Sequence, residues 1–259
     1  VTARVLVTRP AGSWPSLAGR FSGTPIELQF TPTTVAADPL DRREGDAALD
    51  QLDRSDWLVV TSGRGVAALA TRLAARGGQR IPAGLRCAAV GPATARALES
   101  IGAAAAIVAE DAGADGLATA LRPRLAAGAC VVVVRPEGTP SPLAASLRAA
   151  GAEVHEAPLY RTVASGAAAR LADEAIDGAF FGVAFTAPSS LDLWLAAAGE
   201  RRAALAGALA KVKRIAIGKT TAAHLASVAL PADAVAETPS ELAVGDAIAR
   251  AVLPFDLLT

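Results

Sequence analysis

The second half of this chain repeats the first. Val5-Leu-Val-Thr-Arg9-Pro10 returns as Val131-Val-Val-Val-Arg135-Pro136, and Leu58-Val-Val-Thr61-Ser62 as Val183-Ala-Phe-Thr186-Ala187. Ala89-Val-Gly91-Pro-Ala-Thr94 returns as Ile215-Ala-Ile217-Gly218-Lys219-Thr220-Thr221, and Asp115-Gly-Leu117 as Ser240-Glu-Leu242. Each partner lies about 126 residues further on, and matches at one common spacing mark a duplicated unit. Whatever one copy builds, the other must build too.

Each copy alternates short β-branched runs with Ala/Leu-rich stretches that carry apolar residues at helical spacing, such as Val66, Leu69, Ala70 and Leu73. Strands that are apolar on both faces and alternate with helices specify parallel sheets covered on each side. The 259 residues, 52% of them hydrophobic, supply enough apolar material for such cores. The expected fold is α/β: two similar lobes of parallel sheet flanked by helices, arising by internal duplication and joined by a two-stranded connector. Residues 26–37 and 153–164 read as the connectors. If both cross, residues 1–34 join 165–259 in one lobe and 38–152 form the other.

Composition removes several function classes. Twenty-five basic residues balance 25 acidic ones, so the phosphate-neutralising excess of a nucleic-acid binder is missing. Two cysteines, Cys87 and Cys130, make neither a disulfide framework nor a zinc ribbon. The only histidines, His155 and His224, sit far apart and show no metal-ligand spacing. No apolar run is long enough to span a bilayer, and the first residues do not read as a signal peptide. The expectation is a cytoplasmic protein without metal or cofactor, with a small-molecule partner and no nucleic-acid or membrane partner.

Several helices should start directly after a strand on small polar residues: Thr61-Ser62-Gly63, Gly91-Pro92, Thr186-Ala187-Pro188 and Gly218-Lys219-Thr220. Thr238-Pro239-Ser240-Glu241 reads as a capping box with Pro239 at the first helical position. Any α/β protein needs caps at such turns. In open parallel sheets, however, ligands also bind at the carboxyl ends of the strands, where helix N-termini expose N–H groups. Two lobes presenting such rims suit a ligand with many negative charges. Gly63-Arg-Gly65-Val-Ala-Ala68 resembles a dinucleotide fingerprint but lacks the acidic residue expected about 20 residues on. Gly218-Lys219-Thr220 resembles the end of a P-loop, yet Lys213 stands where the first glycine belongs. Tyr160, the single tyrosine, has Thr34 as its repeat partner; it breaks the internal symmetry, and a phenol can serve as a proton donor.

Taken together, Val7-Thr8-Arg9-Pro10, Thr61-Ser62-Gly63-Arg64-Gly65, Val90-Gly91-Pro92-Ala93-Thr94, Val134-Arg135-Pro136, Leu159-Tyr160-Arg161-Thr162, Thr186-Ala187-Pro188-Ser189-Ser190 and Gly218-Lys219-Thr220-Thr221 resemble the uroporphyrinogen-III synthase family in order and spacing. The resemblance implies two α/β lobes, with the first βα unit in the C-terminal lobe. It implies cyclisation of hydroxymethylbilane, a linear tetrapyrrole with eight carboxylates, with loss of water and inversion of ring D. No cofactor or metal is implied, and a monomer is expected. By the same resemblance, Tyr160 would assist departure of hydroxide. Ser62, Gly63, Thr94, Thr186, Ser189, Gly218 and Thr221 would meet substrate through hydroxyls and main-chain N–H groups. Arg9, Arg135 and Lys219, with Arg64 and Arg161, would partner carboxylates. Ala187 stands where the family commonly has serine, which removes one hydroxyl. Two other classes fit the same residues: a non-catalytic tetrapyrrole- or anion-binding protein of this fold, and a nucleotide-dependent transferase using Gly63–Ala68.

Overall fold

A computed structural model describes residues 2–109, 113–138 and 140–253. Along the chain run β1 (Ala3–Val7), α1 (Pro15–Arg20), β2 (Ile26–Phe30), β3 (Thr34–Ala37), α2 (Arg43–Leu49), β4 (Trp57–Val60), α3 (Gly63–Ala75), β5 (Arg86–Ala89), α4 (Pro92–Ser100), β6 (Ala105–Val108), α5 (Ala114–Leu121) and β7 (Cys130–Pro136). There follow α6 (Pro142–Ala149), β8 (Glu153–Ala164), α7 (Ala168–Ile176), β9 (Gly182–Phe185), α8 (Pro188–Ala197), α9 (Arg202–Leu209), β10 (Lys213–Ala216), α10 (Lys219–Ser227), β11 (Ala234–Val235) and α11 (Glu241–Val252). The chain divides into two compact units: residues 1–35 with 163–259, and residues 36–162.

The first unit holds a sheet ordered β11-β10-β9-β1-β2, its neighbours all parallel. The other sheet runs β3-β8-β7-β4-β5-β6, with β8, β7, β4, β5 and β6 parallel. The repeat shows in these orders. β1 corresponds to β7, β9 to β4 and β10 to β5, so the two sheets follow one plan and each takes strands from both copies. The segment 26–37 supplies β2, an edge of the first sheet, and then β3. The segment 153–164 is one long strand, hydrogen-bonded to β7 over residues 153–160.

The alternating direction of side chains along a strand explains the layers. In the unit of residues 36–162, Leu58 and Val60 point to one face and pack with Leu69 and Leu98, whereas Trp57 and Val59 point to the other and pack with Leu117 and Leu147. In the first unit, Leu6, Val183 and Phe185 meet Trp194 on one face, and Val5, Val7 and Ile215 meet Trp14 and Ile248 on the other. β4 and β9 are buried along their full length, which is why they read as uninterrupted apolar runs.

One cap differs from the sequence expectation. α11 begins at Glu241, and its N-cap is Ser240, whose Oγ accepts the Ala243 N–H at 3.3 Å. Pro239 therefore precedes the cap. Glu241 turns instead to another helix, accepting the N–H groups of Ser16 at 2.9 Å and Leu17 at 3.2 Å in the first turn of α1. A carboxylate at a helix N-terminus satisfies N–H groups that the helix itself cannot, and pairs with the positive end of the dipole.

Candidate active site

In the unit of residues 36–162, Ser62, Gly63, Thr94, Arg135 and Tyr160 all lie at the carboxyl edge of the parallel strands. Ser62 and Gly63 follow β4, Thr94 is in the first turn after β5, and Arg135 and Tyr160 lie near the ends of the paired β7 and β8. Ser62 is the N-cap of α3: its Oγ accepts the Gly65 N–H at 3.0 Å. The same oxygen lies 3.0 Å from the Tyr160 hydroxyl. Tyr160 is buried, 6% exposed, so its hydroxyl meets a fixed partner. α3 can approach this closely because residue 65 is glycine: a Cβ there would stand 3.2 Å from Val60, 3.3 Å from Val134 and 3.4 Å from Ser62 Oγ. The second glycine of the Gly63-Arg-Gly65 motif thus has a packing role.

Arg135 is committed to protein carboxylates. Its Nε lies 2.5 Å from Glu156 and a terminal nitrogen lies 3.0 Å from Glu44, with the side chain only 16% exposed. It joins β7, β8 and α2. Arg161 donates to the Asp38 carbonyl at 3.0 Å. Thr94 is 5% exposed, and α4 has Gly91 as an N-cap that offers no side-chain acceptor.

In the unit of residues 1–35 and 163–259, Arg9, Thr186, Ser189, Gly218, Lys219 and Thr221 likewise follow β1, β9 and β10 at their carboxyl ends. Arg9 stacks its guanidinium over the Trp14 ring, 4.3 Å from the centroid. Thr186 donates to the Thr8 carbonyl at 3.1 Å, and its N–H is accepted by Thr8 Oγ1 at 3.1 Å. Gly218 caps α10 without a side-chain acceptor, as Gly91 does for α4. Lys219 is exposed, Ser189 half-buried, and Thr221 buried at 3% exposure. The N-cap of α8, Ala187, also supplies no side-chain acceptor. First-turn N–H groups of α4, α8 and α10 thus carry no side-chain cap, as anion-binding helix ends require.

Thr8 belongs to the Val7-Thr8-Arg9-Pro10 motif, where the sequence alone assigned it no role. It is 1% exposed and orients Thr186. A lone hydroxyl closing an apolar strand was the available signal, since a buried hydroxyl needs partners. Away from this edge, at the start of β7 and β8, Cys130, Glu153 and His155 bring one ligand atom each within 4.8 Å of one another. Their separation in sequence hid this cluster. Glu153 is already engaged by His155 at 2.8 Å and Arg54 at 3.7 Å. Among the described residues, no helix is long and apolar enough to cross a membrane.

A family model described as uroporphyrinogen-III synthase HemD matches residues 16–244. A curated protein of Methanothermobacter thermautotrophicus, whose assignment as a uroporphyrinogen-III synthase is provisional, is 35% identical over 165 residues; the match spans 62% of this chain and 64% of that relative's length. A crystal structure of a uroporphyrinogen III synthase mutant from Thermus thermophilus superposes with a TM-score of 0.62 at 21% identity, covering 97% of this chain and 99% of that one. A uroporphyrinogen-III synthetase from Helicobacter pylori gives 0.63 at 18% identity, covering 95% and 97%. At these identities the two structures establish the fold.

Proposed function

Because the chain belongs to the uroporphyrinogen-III synthase HemD family, we propose that it cyclises hydroxymethylbilane to uroporphyrinogen III in tetrapyrrole biosynthesis, as a hydro-lyase that removes water and inverts ring D. In this reading it works as a cytoplasmic monomer without metal or cofactor. The observation that carries the reading is the hydrogen bond between Tyr160 and the N-cap serine of α3.

Loss of hydroxide from the hydroxymethyl group is helped by a proton delivered to the departing oxygen. Tyr160 supplies it. Ser62 has one O–H to give and directs it to the Tyr160 oxygen, while its lone pair receives the Gly65 N–H. Negative charge developing on Tyr160 is thereby coupled to the positive end of α3. The proton is regained when the ring-forming carbon loses its own at closure. A general acid contributes about 10²–10⁴-fold. Because the substrate also closes spontaneously, to the uninverted isomer, most of the catalysis lies in holding its conformation.

The uncapped first-turn N–H groups of α4, α8 and α10, together with Gly63, Thr94, Ser189, Gly218, Lys219, Thr221 and Arg9, are the donors assigned to substrate carboxylates; the Ser62 hydroxyl is committed to Tyr160 and the Thr186 hydroxyl to the Thr8 carbonyl. Arg135 is assigned to the scaffold, because Glu44 and Glu156 already hold it. The test is product analysis with freshly generated hydroxymethylbilane, oxidised and separated into type I and type III uroporphyrins. Protein-dependent type III product is expected. Type I alone at the spontaneous rate, from a folded sample, would leave a non-catalytic tetrapyrrole-binding protein as the better reading.

A further inference from the structure

We propose that Cys130, Glu153 and His155 form a reversible zinc site that clamps the starts of β7 and β8, within the unit of residues 36–162. The site lies at the amino end of these strands, opposite the edge that holds Tyr160 and Ser62. Cys130 opens β7 and Glu153 opens β8, whereas Tyr160 pairs with Pro136 at the far end of β7. The 7 residues of β7 set the two ends about 20 Å apart. The ion therefore takes no part in the proposed cyclisation.

Strand pairing builds the site. In the parallel β7–β8 ladder, Cys130 stands opposite Glu153 and Val132 opposite His155. Alternation of side chains puts Cys130, Glu153 and His155 on one face of the sheet. Further along, the same face carries Val132, Ala157 and Leu159 into the core with Leu58 and Leu69. One ligand atom from each of the three residues lies within 4.8 Å of the others. Tetrahedral zinc spaces sulfur, nitrogen and oxygen donors about 3.3–3.6 Å apart. Cys130 is buried, whereas the side chains of Glu153 and His155 are 58% and 25% exposed. Rotation of those two closes the difference.

The donor set selects the ion. A thiolate with an imidazole favours zinc over the hard cations calcium and magnesium, and the carboxylate makes three protein ligands, with water in the fourth position. Thiolate and carboxylate together neutralise the dication. His155 Nε2 lies 2.8 Å from Glu153 Oε1, so one proton stands between them. The ion takes its place, the neutral ring keeps its single proton on Nδ1, and the Cys130 thiol releases its proton to solvent. Ser55 supports the sulfur: its Oγ donates to the Gln51 carbonyl at 2.8 Å and lies 3.3 Å from Cys130 Sγ. Once the thiol proton leaves, that hydroxyl can turn and donate to the thiolate, the kind of outer bond that tunes metal sites. The Cys130 N–H donates to Asp56 at 2.9 Å, which fixes the strand start. Arg54 reaches Glu153 at only 3.7 Å, an exposed pair that contributes little and yields to an ion.

The test is titration of zinc into the untagged, chelator-stripped full chain under a non-thiol reductant, read by calorimetry and thermal melting, with cobalt(II) as the spectroscopic probe. One ion per chain is expected, with a thiolate-to-cobalt charge-transfer band. Tm should rise by roughly 5–10 °C when free zinc is about a hundredfold above Kd. Cys130→Ala should remove the band, and His155→Gln should weaken zinc binding about a hundredfold or more. Cys87→Ala should keep the band and the affinity, because Cys87 is buried outside the cluster. No stoichiometric binding by the wild type, folded by circular dichroism, would overturn the proposal. So would zinc affinity and cobalt spectra that are unchanged in both Cys130→Ala and His155→Gln. Stripped and loaded protein should form type III product at the same rate. Activity that vanishes on stripping and returns with zinc would overturn the placement of the ion outside the chemistry.

Discussion

Ser62 Oγ holds two partners at once, the Gly65 N–H at 3.0 Å and the Tyr160 hydroxyl at 3.0 Å. One oxygen therefore caps α3 and positions the proposed acid, although the two residues stand 98 positions apart in the chain. Structure and chemistry are linked at this atom, so substitutions on its two sides should behave differently.

Tyr160→Phe should leave the cap intact and lower the rate of type III formation by about 10²-fold, the low end for a general acid. Ser62→Ala should slow the reaction as well and also cost about 1 kcal/mol of stability through the lost cap. Single-turnover product assays with thermal melts on both variants separate the effects. A Ser62→Ala protein that reacts at the full wild-type rate would show that the hydrogen bond is structural only.

Gly45→Ala sets helix propensity against packing. Alanine inside a helix is favoured over glycine by about 0.8–1.0 kcal/mol. A Cβ at position 45, however, would lie 2.9 Å from Leu159 Cδ2 and 3.2 Å from the Pro158 carbonyl oxygen. Leu159 can rotate; the backbone oxygen cannot. Overpacking of this kind costs about 1–3 kcal/mol, so net destabilisation is expected in denaturant titrations. Because Pro158 and Leu159 adjoin Tyr160, kcat should fall too. A more stable variant would mean that α2 shifts freely.

The two tryptophans buried to 1% exposure or less, Trp194 and Trp57, should respond unequally to Phe. Trp194 donates from Nε1 to the Ala168 carbonyl at 3.0 Å, and it is fully buried. Its replacement loses that hydrogen bond and opens a cavity, for about 2–4 kcal/mol in all. Trp57 is 1% exposed and its Nε1 has no partner among the described residues. Replacing it removes an unsatisfied donor, which offsets part of the lost volume and of the Arg86 stacking at 4.4 Å. Urea unfolding of both variants checks the order, and equal losses would refute it.

Acid should loosen α2 from α3 before it affects the cores. The hydrogen bond from Arg72 to Asp46, with burial opposing it and the charges of Arg72 and Arg76 adding to it, holds the Asp46 carboxyl below its usual range. A carboxylate whose pKa is lower in the folded state stabilises fully above its unfolded value, about 4, and loses that contribution as pH falls through the folded value. The stability difference between wild type and Asp46→Asn should therefore be largest near pH 7 and shrink below about pH 4, with its size reduced by solvent screening of this partly exposed pair. A difference that is independent of pH down to about 2 would show that Asp46 contributes by shape alone.

Much of this was legible before any coordinates. β4, β7 and β9 stand out because strands buried on both faces cannot hide their apolar runs. Ser62 reads as a cap because a hydroxyl just before an Ala-rich helix is placed to accept a first-turn N–H. The turns at Gly91 and Gly218 are visible through the repeat, and so is their position at strand ends. The partners of Arg135 were not legible for a physical reason: an arginine at a strand end looks the same whether it meets solvent or, as here, Glu44 and Glu156 from α2 and β8. The Ser240–Glu241 cap slipped by two positions because Glu241 is claimed by α1, more than two hundred residues away in sequence.

The sequence by itself determined the alternation of strand and helix, the duplicated α/β plan and the residue types at each strand end. Those follow from periods of 2 and 3.6 residues and from local hydrogen bonding, which act over a few positions. Only the tertiary structure decided that each sheet takes strands from both copies, that Tyr160 meets Ser62, and which arginines are spent on protein carboxylates. Such pairings join residues about 90 to 180 positions apart. They are chosen by which faces bury together and which charges are left facing them, and no local pattern carries that information.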